Sequence, residues 1–174
     1  MPLIPNNGWE TGDNGGWTVA SPGNPGMDIV TTNVRNGTYA LEINRASGSG
    51  GAQAFYENKN FAQFAGFTVE FTVYALLISG TTHGTIQIID GDNPTSSHLL
   101  VSNSSTWTKN TVTHTVGASP IRLRFAIQVS SGQGISSIDD MVAKGQGQRT
   151  VGGRSLSLLF RLLQDGRKER LQTA

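Results

Sequence analysis

The sequence predicts an all-β fold, a sandwich of two antiparallel sheets. Composition is the first observation, because the 174 residues include 22 glycines and only 14% are charged, which suits short strands joined by turns better than helices. The second is periodicity, since two long segments alternate apolar and polar residues as half-buried strands do. The third is the spacing of shorter apolar segments between turn-forming residues. The length fits one domain with a single core.

Strict alternation predicts the two longest strands. Apolar residues alternate with arginine and glutamine in residues 121–129, and mainly with threonine, glutamate and tyrosine in residues 67–77. One face of each strand is therefore predicted to be buried while the other faces solvent. The residues predicted to fill the core are Trp17, Val69, Phe71, Val73, Trp107, Leu123, Phe125 and Ile127.

Shorter strands are predicted between turn-forming sequences such as Asn36-Gly37 and Gly91-Asp92-Asn93-Pro94. The segments are Met27–Thr31, Tyr39–Ile43, Ala52–Tyr56, Thr85–Ile89, His98–Val101, Trp107–Val116 and Ile135–Ala143. Together with the two long strands they are enough for a two-sheet jelly roll.

The chain divides into three predicted parts. Residues 1–144 form the sandwich, residues 145–153 are a glycine-rich linker, and residues 154–174 form a basic C-terminal arm. Residues 145–174 hold six Lys or Arg against two Asp or Glu, whereas the first 144 residues hold seven against ten. The arm is therefore basic and the sandwich mildly acidic.

A short helix is predicted in the arm. Ser155 would cap it, and the apolar run that follows ends before Gly166. Apolar side chains would cover nearly every side of this helix, so we expect it to dock either on its own domain or on another chain. We predict the second, a neighbouring protein chain of an assembly, which includes a homo-oligomer of this chain. The residues predicted to bind the partner are Leu156, Leu159, Phe160, Arg161, Leu163, Arg167, Lys168 and Arg170.

Three segments carry a family resemblance. They are Asn7–Trp17, Asn33–Ile43, and Trp107–Thr111 followed by the closing segment Ile138–Val142. In this order and spacing they resemble the β-jelly-roll carbohydrate-binding modules attached to bacterial xylanases and cellulases, which have a galactose-binding-like sandwich fold. The resemblance covers roughly residues 3–144 and none of the arm.

The resemblance implies a structural calcium ion. Many modules of this type bind calcium through an acidic side chain of the first segment, carbonyls near the Gly-Thr-Tyr turn and the closing Asp pair. When these positions are carried over to this sequence, the resemblance implies that Glu10, Asp139 and Asp140 are the ligands. Calcium takes six to eight oxygen ligands, so carboxylates from opposite ends of the chain could bind one ion and hold the two ends together. In the alternative, Asp139 and Asp140 cap a strand end through backbone hydrogen bonds.

Aromatic residues are the candidates for sugar binding, because such modules stack flat rings on pyranose faces. Trp17 and Trp107 lie where the family has its core aromatics. The remaining candidates are Trp9, Phe55, Tyr56 and Tyr74. In the alternative, these rings pack beneath loops.

No catalytic set is predicted. The sequence has no Gly-x-Ser-x-Gly motif, and Asp139 and Asp140 would point to opposite faces of a strand, which excludes a glycosidase acid and base pair. His83, His98 and His114 lie on separate segments and are predicted to be surface or turn residues. The chain has no cysteine, which excludes disulfides and thiolate chemistry.

Two functions follow from these observations. The first is a non-catalytic structural or adhesion protein of a large assembly, such as a bacteriophage capsid decoration or virion accessory protein assembled in the host cytoplasm. The alternative is a secreted carbohydrate-binding module that directs a glycoside hydrolase to its polysaccharide. Residues 1–5 have neither the basic nor the apolar region of a signal peptide, and no membrane span is predicted. Nucleic-acid binding is not predicted, because no aromatic residues interleave with the basic ones.

Overall fold

The computed structural model describes residues 3–4, 9–20, 25–45, 52–91, 93–100, 105–146, 148–151 and 154–157. Two five-stranded antiparallel sheets form a β-sandwich, as predicted. The strands of the sandwich are β1 (Thr18–Ala20), β2 (Pro25–Val30), β3 (Ala40–Arg45), β4 (Ala52–Glu57), β5 (Thr68–Asp90), β6 (Asn93–Leu99), β7 (Thr108–Thr115) and β8 (Leu123–Gln146). A 3₁₀ turn, Phe61–Phe64, precedes β5.

The long strands β5 and β8 belong to both sheets. They pair from Thr68 opposite Gln146 to Asp90 opposite Leu123. One end of this ribbon lies between β3 and β7, with β2 outside β3; we call this the first sheet. The other end lies between β4 and β6, with β1 outside β4, and is the second sheet.

Glycines lie where the ribbon passes from one sheet to the other. The pairing of β5 with β8 shifts register near Ser79 and again at Gly84. A Cβ atom on Gly134 would lie 2.3 Å from the Ser79 carbonyl oxygen, and one on Gly84 would lie 2.5 Å from that of Gln128. Only glycine allows the two backbones to approach so closely at this bend.

The core lies between the sheets and follows the predicted alternation. Phe71 of the first sheet and Phe125 of the second meet with ring centroids 5.5 Å apart. Seven of the eight predicted core residues are buried, among them Trp17. Trp107 is the exception and is half-buried, because it lies just before β7 at the edge of the first sheet. No helix in the described part of the chain has the length and apolar character needed to cross a membrane.

The C-terminal segment differs from the prediction. Within the predicted linker and the start of the arm, β9 (Gln148–Val151) pairs antiparallel with β10 (Arg154–Ser157). Leu156 is therefore in a strand where a helix was predicted. The rest of the predicted helix and its partner-binding residues lie outside the described residues.

Candidate functional site

The outer face of the second sheet carries a half-exposed aromatic residue among amide side chains. Phe55 of β4 lies opposite Ala126 of β8, which lies opposite Gln87 of β5. Their neighbours in sequence fill the core, so alternation directs this row outwards. We call this surface the Phe55 face; its residues are Gln53, Phe55, Glu57, Thr85, Gln87, Arg124, Ala126 and Gln128.

Hydrogen bonds order the amide groups of the Phe55 face. Gln87 Nε2 donates to Gln128 Oε1 and to Thr85 Oγ1, both at 3.0 Å. Gln53 lies opposite Gln128 on the neighbouring strand. Ala126 is fully buried although it points outwards, because its short side chain lies below its longer neighbours. The face therefore has a shallow centre lined by groups that donate and accept hydrogen bonds.

Arginine and glutamate lie beside the Phe55 ring. The Arg124 guanidinium is 4.4 Å from the ring centroid, and its Nε donates to Glu57 Oε2 at 2.5 Å. This hydrogen bond is the largest effect and lowers the pKa of Glu57; burial opposes it, and the positive charges of Arg124, Lys59 and Arg122 lower the pKa further, so that the net shift is downward. Glu57 is therefore ionised at neutral pH.

Tyr74 lies on the outer face of the first sheet and also has an arginine over its ring. The Arg35 guanidinium is 3.7 Å from its ring centroid and forms an ion pair with Asp140. Asn36 Nδ2 donates to the same Asp140 oxygen at 2.6 Å. Arg35 is thus held by a ring on one side and a carboxylate on the other.

Trp9 and Tyr56 do not lie on an outer face. Trp9 is 0% exposed, and its ring centroid is 5.3 Å from that of Trp17. Its assignment to a sugar-binding surface is wrong, because no part of the ring is open to a ligand. Tyr56 is partly buried against the core, with its ring centroid 6.1 Å from that of Trp17. Of the four aromatic candidates, Phe55 and Tyr74 remain.

Glu10 contacts the backbone of the 36–39 turn. Its Oε2 accepts a hydrogen bond from Thr38 N at 2.9 Å. Gly37 has a φ of 75°, and a Cβ atom there would lie 2.3 Å from the Glu10 carboxylate. Glycine is needed at this position both for the backbone conformation and for the approach of the carboxylate.

Asp139 approaches the same turn from β8. Its Oδ2 accepts from Arg35 N at 2.8 Å and Asn36 N at 3.1 Å, and its Oδ1 accepts from Asp140 N at 2.7 Å. Burial raises its pKa, the two Oδ2 hydrogen bonds oppose this, and the negative charge of Glu10 raises the pKa again. Two carboxylates of like charge are thus brought together at one turn.

The predicted calcium ligands differ in their suitability. Glu10 and Asp139 are close enough to repel, and a cation between them would offset that repulsion. Asp140 is paired with Arg35, so we expect it to contribute less to a calcium site than Glu10 and Asp139. The described residues contain no group of three or more His, Cys, Asp or Glu side chains placed to hold a metal ion. Calcium stays a prediction in which Glu10 and Asp139 would need backbone oxygens as further ligands.

A serine, a histidine and an aspartate form a cluster that the sequence analysis missed. Ser96 Oγ lies 2.9 Å from His114 Nδ1, and His114 Nε2 lies 3.3 Å from Asp90 Oδ2. Asp90 also accepts from Gly117 N at 2.6 Å. His114, predicted to be a surface or turn residue, has a side chain only 9% exposed. The cluster connects the edge strands β6 and β7, and nothing in their separate sequences indicates this contact.

Comparison with known proteins gives structural matches only. No family model matches the sequence, and no curated protein matches it. The carbohydrate-binding module TmCBM61, solved with β-1,4-galactotriose, matches with a TM-score of 0.66 and 15% identity over 83% of this chain and 98% of its own. A cyclase from Fischerella sp. TAU matches with a TM-score of 0.69 and 15% identity, over 86% and 99% of the two chains.

Part of a phage protein has the same fold. The enzymatically active domain of bacteriophage CBA120 tailspike protein 4 matches with a TM-score of 0.69 and 13% identity over 83% of this chain. The match covers 21% of the tailspike chain. Identities this low establish a shared fold and leave the site to be argued from its own residues. The chain has the β-sandwich fold that these proteins share.

Proposed function

We propose that the chain is a non-catalytic adhesion module that binds a glycan on the Phe55 face. The observation that carries this proposal is a half-exposed aromatic ring beside an ordered row of amide groups on an open sheet face. The apolar face of a sugar ring packs on an aromatic side chain, and glutamine can both donate to and accept from sugar hydroxyls. The Arg124 guanidinium occupies one side of the Phe55 ring, and the other side is where we place the sugar.

The surroundings of Tyr74 favour the Phe55 face as the site. An arginine paired with a carboxylate lies over each ring, Arg124 over Phe55 and Arg35 over Tyr74. Of these two contacts, the one at Tyr74 also holds the 33–39 segment to β8, so a sugar there would have to disturb that segment. The row next to Tyr74 on β5 and β7 is a pair of threonines bonded to each other, Thr72 with Thr111. We assign the Arg35–Tyr74 contact a structural role.

Replacing Phe55 with alanine is expected to weaken polysaccharide binding at least tenfold, about 1.4 kcal/mol, because the stacking surface is removed. The measurement is calorimetric titration or affinity electrophoresis against a panel of soluble polysaccharides. Tyr74→Ala is the matched control and should bind like the wild type. The proposal is rejected if Phe55→Ala binds normally while its melting temperature shows a folded protein.

The Ser96–His114–Asp90 cluster combines side chains that could serve catalysis, so the proposal of a non-catalytic module has to account for it. The His114 and Asp90 side chains are 9% and 11% exposed, and their bonds connect the strand edges, so we infer that the cluster is structural. The fold itself does not decide whether the chain is catalytic, since a cyclase has the same fold. We expect every bound polysaccharide to be recovered without cleavage, as measured by reducing-end assay. Turnover that disappears in Ser96→Ala would contradict this.

A virion setting is supported by the likeness to the phage tailspike domain. We infer that the module is a structural or accessory protein of a phage particle and that residues 154–174 attach it to its neighbours. Deleting residues 154–174 should leave the melting temperature of the sandwich unchanged and remove the protein from purified particles, as measured by mass spectrometry. Normal incorporation of the truncated protein would contradict the inference and favour a free module that accompanies a secreted glycoside hydrolase.

A further inference from the structure

Three positive side chains surround one carboxylate at an end of the Phe55 face. Glu57 Oε2 lies 2.5 Å from Arg124 Nε and 3.8 Å from Arg122 Nε, and Glu57 Oε1 lies 3.8 Å from Lys59 Nζ. We call Lys59, Arg122 and Arg124 the basic rim. A single carboxylate cannot balance three cations, so this end of the face is positively charged at neutral pH.

The basic rim is open to solvent and only partly satisfied by Glu57. The side chains of Lys59, Arg122 and Arg124 are 84%, 38% and 27% exposed. The 3.8 Å separations of Arg122 and Lys59 from Glu57 exceed hydrogen-bond distance, so Glu57 accepts a hydrogen bond from Arg124 alone among the three. Arg122 and Lys59 can therefore approach a further anion without breaking an existing hydrogen bond to Glu57.

The rest of the Phe55 face offers no competing negative charge. Its described members besides Glu57 and the basic rim are glutamine, threonine, alanine and phenylalanine. Phe55 also joins the face to the rim directly, because the Arg124 guanidinium rests on its ring. A sugar stacked on Phe55 would have any acidic substituent within the field of the rim.

We propose that the glycan bound on the Phe55 face is acidic and carries carboxylates, as uronic acid residues do. This inference rests on the proposed function, because it assigns the ligand class of the same site. The guanidinium group of Arg122 is planar and matches the two oxygens of a carboxylate, and Lys59 adds a second positive charge, whereas a neutral sugar has no group that uses the excess charge. The rim thus adds selectivity to the stacking that Phe55 supplies.

A matched pair of ligands tests the proposal. Polygalacturonate and its fully methyl-esterified form have the same sugar backbone and differ in carboxylate charge. The wild-type chain should bind polygalacturonate at least tenfold more tightly at low salt, and the ratio should fall as sodium chloride is added, because salt screens exposed charges. Alginate serves as a second uronate, galactan and xylan as neutral polymers, and heparin as a sulfated one.

Two charge-matched variants locate the effect. Arg122→Gln should lower the affinity for polygalacturonate about tenfold and leave the affinity for the methyl ester unchanged. Lys144→Gln removes the same charge from an exposed position on the first sheet and should leave both affinities unchanged. Equal losses in the two variants would mean that overall charge, and not the rim, attracts the polymer, which would overturn the proposal.

The outcomes separate this inference from the proposed function. If the chain binds neutral polymers through Phe55 and methyl esterification has no effect, the acidic ligand is wrong and the glycan site stands. If heparin binds more tightly than every uronate through Arg122, the carboxylate assignment is wrong. If no polymer shows binding that Phe55→Ala weakens, the proposed glycan site itself is wrong, and the inference is rejected with it.

Discussion

Replacing Trp9 with alanine is expected to lower the free energy of unfolding by about 3–5 kcal/mol, the usual cost of removing a large buried aromatic side chain. Trp9 is fully buried and packs with Trp17 in the same core cluster as Phe71 and Phe125. The substitution removes those contacts and leaves a cavity that the two sheets cannot close. Urea or guanidinium denaturation followed by tryptophan fluorescence of the remaining residues measures the loss.

Two variants serve as controls for the Trp9 prediction. Trp9→Phe keeps an aromatic ring and removes an indole N–H that has no hydrogen-bond partner in the described part of the chain, so its loss should be smaller. Phe55→Ala truncates a half-exposed ring and should cost less than about 1.5 kcal/mol. If Trp9→Ala stays as stable as the wild type and loses glycan binding, Trp9 belongs to the surface and the described packing is wrong.

Replacing Asp139 with alanine is expected to have the second large effect, a loss of about 2–4 kcal/mol in the free energy of unfolding. The buried carboxylate accepts hydrogen bonds from the backbone N–H groups of Arg35, Asn36 and Asp140. Alanine would leave these donors without their acceptor and release the 33–39 segment from β8. Chemical denaturation measures the loss. Asp139→Asn keeps one acceptor oxygen and should lose less.

The raised pKa of Asp139 gives this prediction a pH dependence. A carboxyl whose pKa is higher in the folded state binds more protons there than in the unfolded state. The contribution of Asp139 to stability is therefore greatest at pH values below 3.8, the ordinary pKa of an aspartate carboxyl. This contribution falls as the pH rises through the raised pKa of the folded state. Asp139→Asn should remove this slope. If the stability of the wild type instead rises over that pH range, and by more than the stability of Asp139→Asn does, the raised pKa is wrongly assigned to Asp139.

The same variants test calcium. If calcium binds between Glu10 and Asp139, added calcium should raise the melting temperature of the wild type and EDTA should lower it, since an ion that binds the folded state stabilises it. Asp139→Asn should lose this response. Asp140→Asn should keep it, because Arg35 already pairs with Asp140. A melting temperature that calcium and EDTA leave unchanged contradicts the calcium prediction.

Alternation made the sandwich predictable from sequence. Leu123, Phe125 and Ile127 are buried as their spacing requires, and the outward position of Phe55 and Tyr74 follows from the same rule. Trp9 lies in a turn with a φ of 61°, where no period indicates which way a side chain points. An aromatic residue in such a segment cannot be assigned to the core or the surface from sequence.

The basic rim and the histidine cluster depend on strand pairing. Glu57 meets Arg124 because β4 and β8 pair in one register, and no local pattern in either strand fixes that register. Ser96, His114 and Asp90 come from three strands, two of them at sheet edges. In the C-terminal segment, a short apolar run is compatible with either a strand or a helix, which explains why Leu156 was placed in the wrong element.

The ribbon of β5 and β8 has a consequence for how the chain folds. All the other strands of the sandwich attach to this ribbon, directly or through one neighbour, and Thr68 finds its partner on β8 only after Gln146 has been made. Neither sheet can therefore be completed early from local contacts. The entropy lost in closing such long loops slows folding, so the newly made chain leaves sheet edges unpaired until its last third arrives.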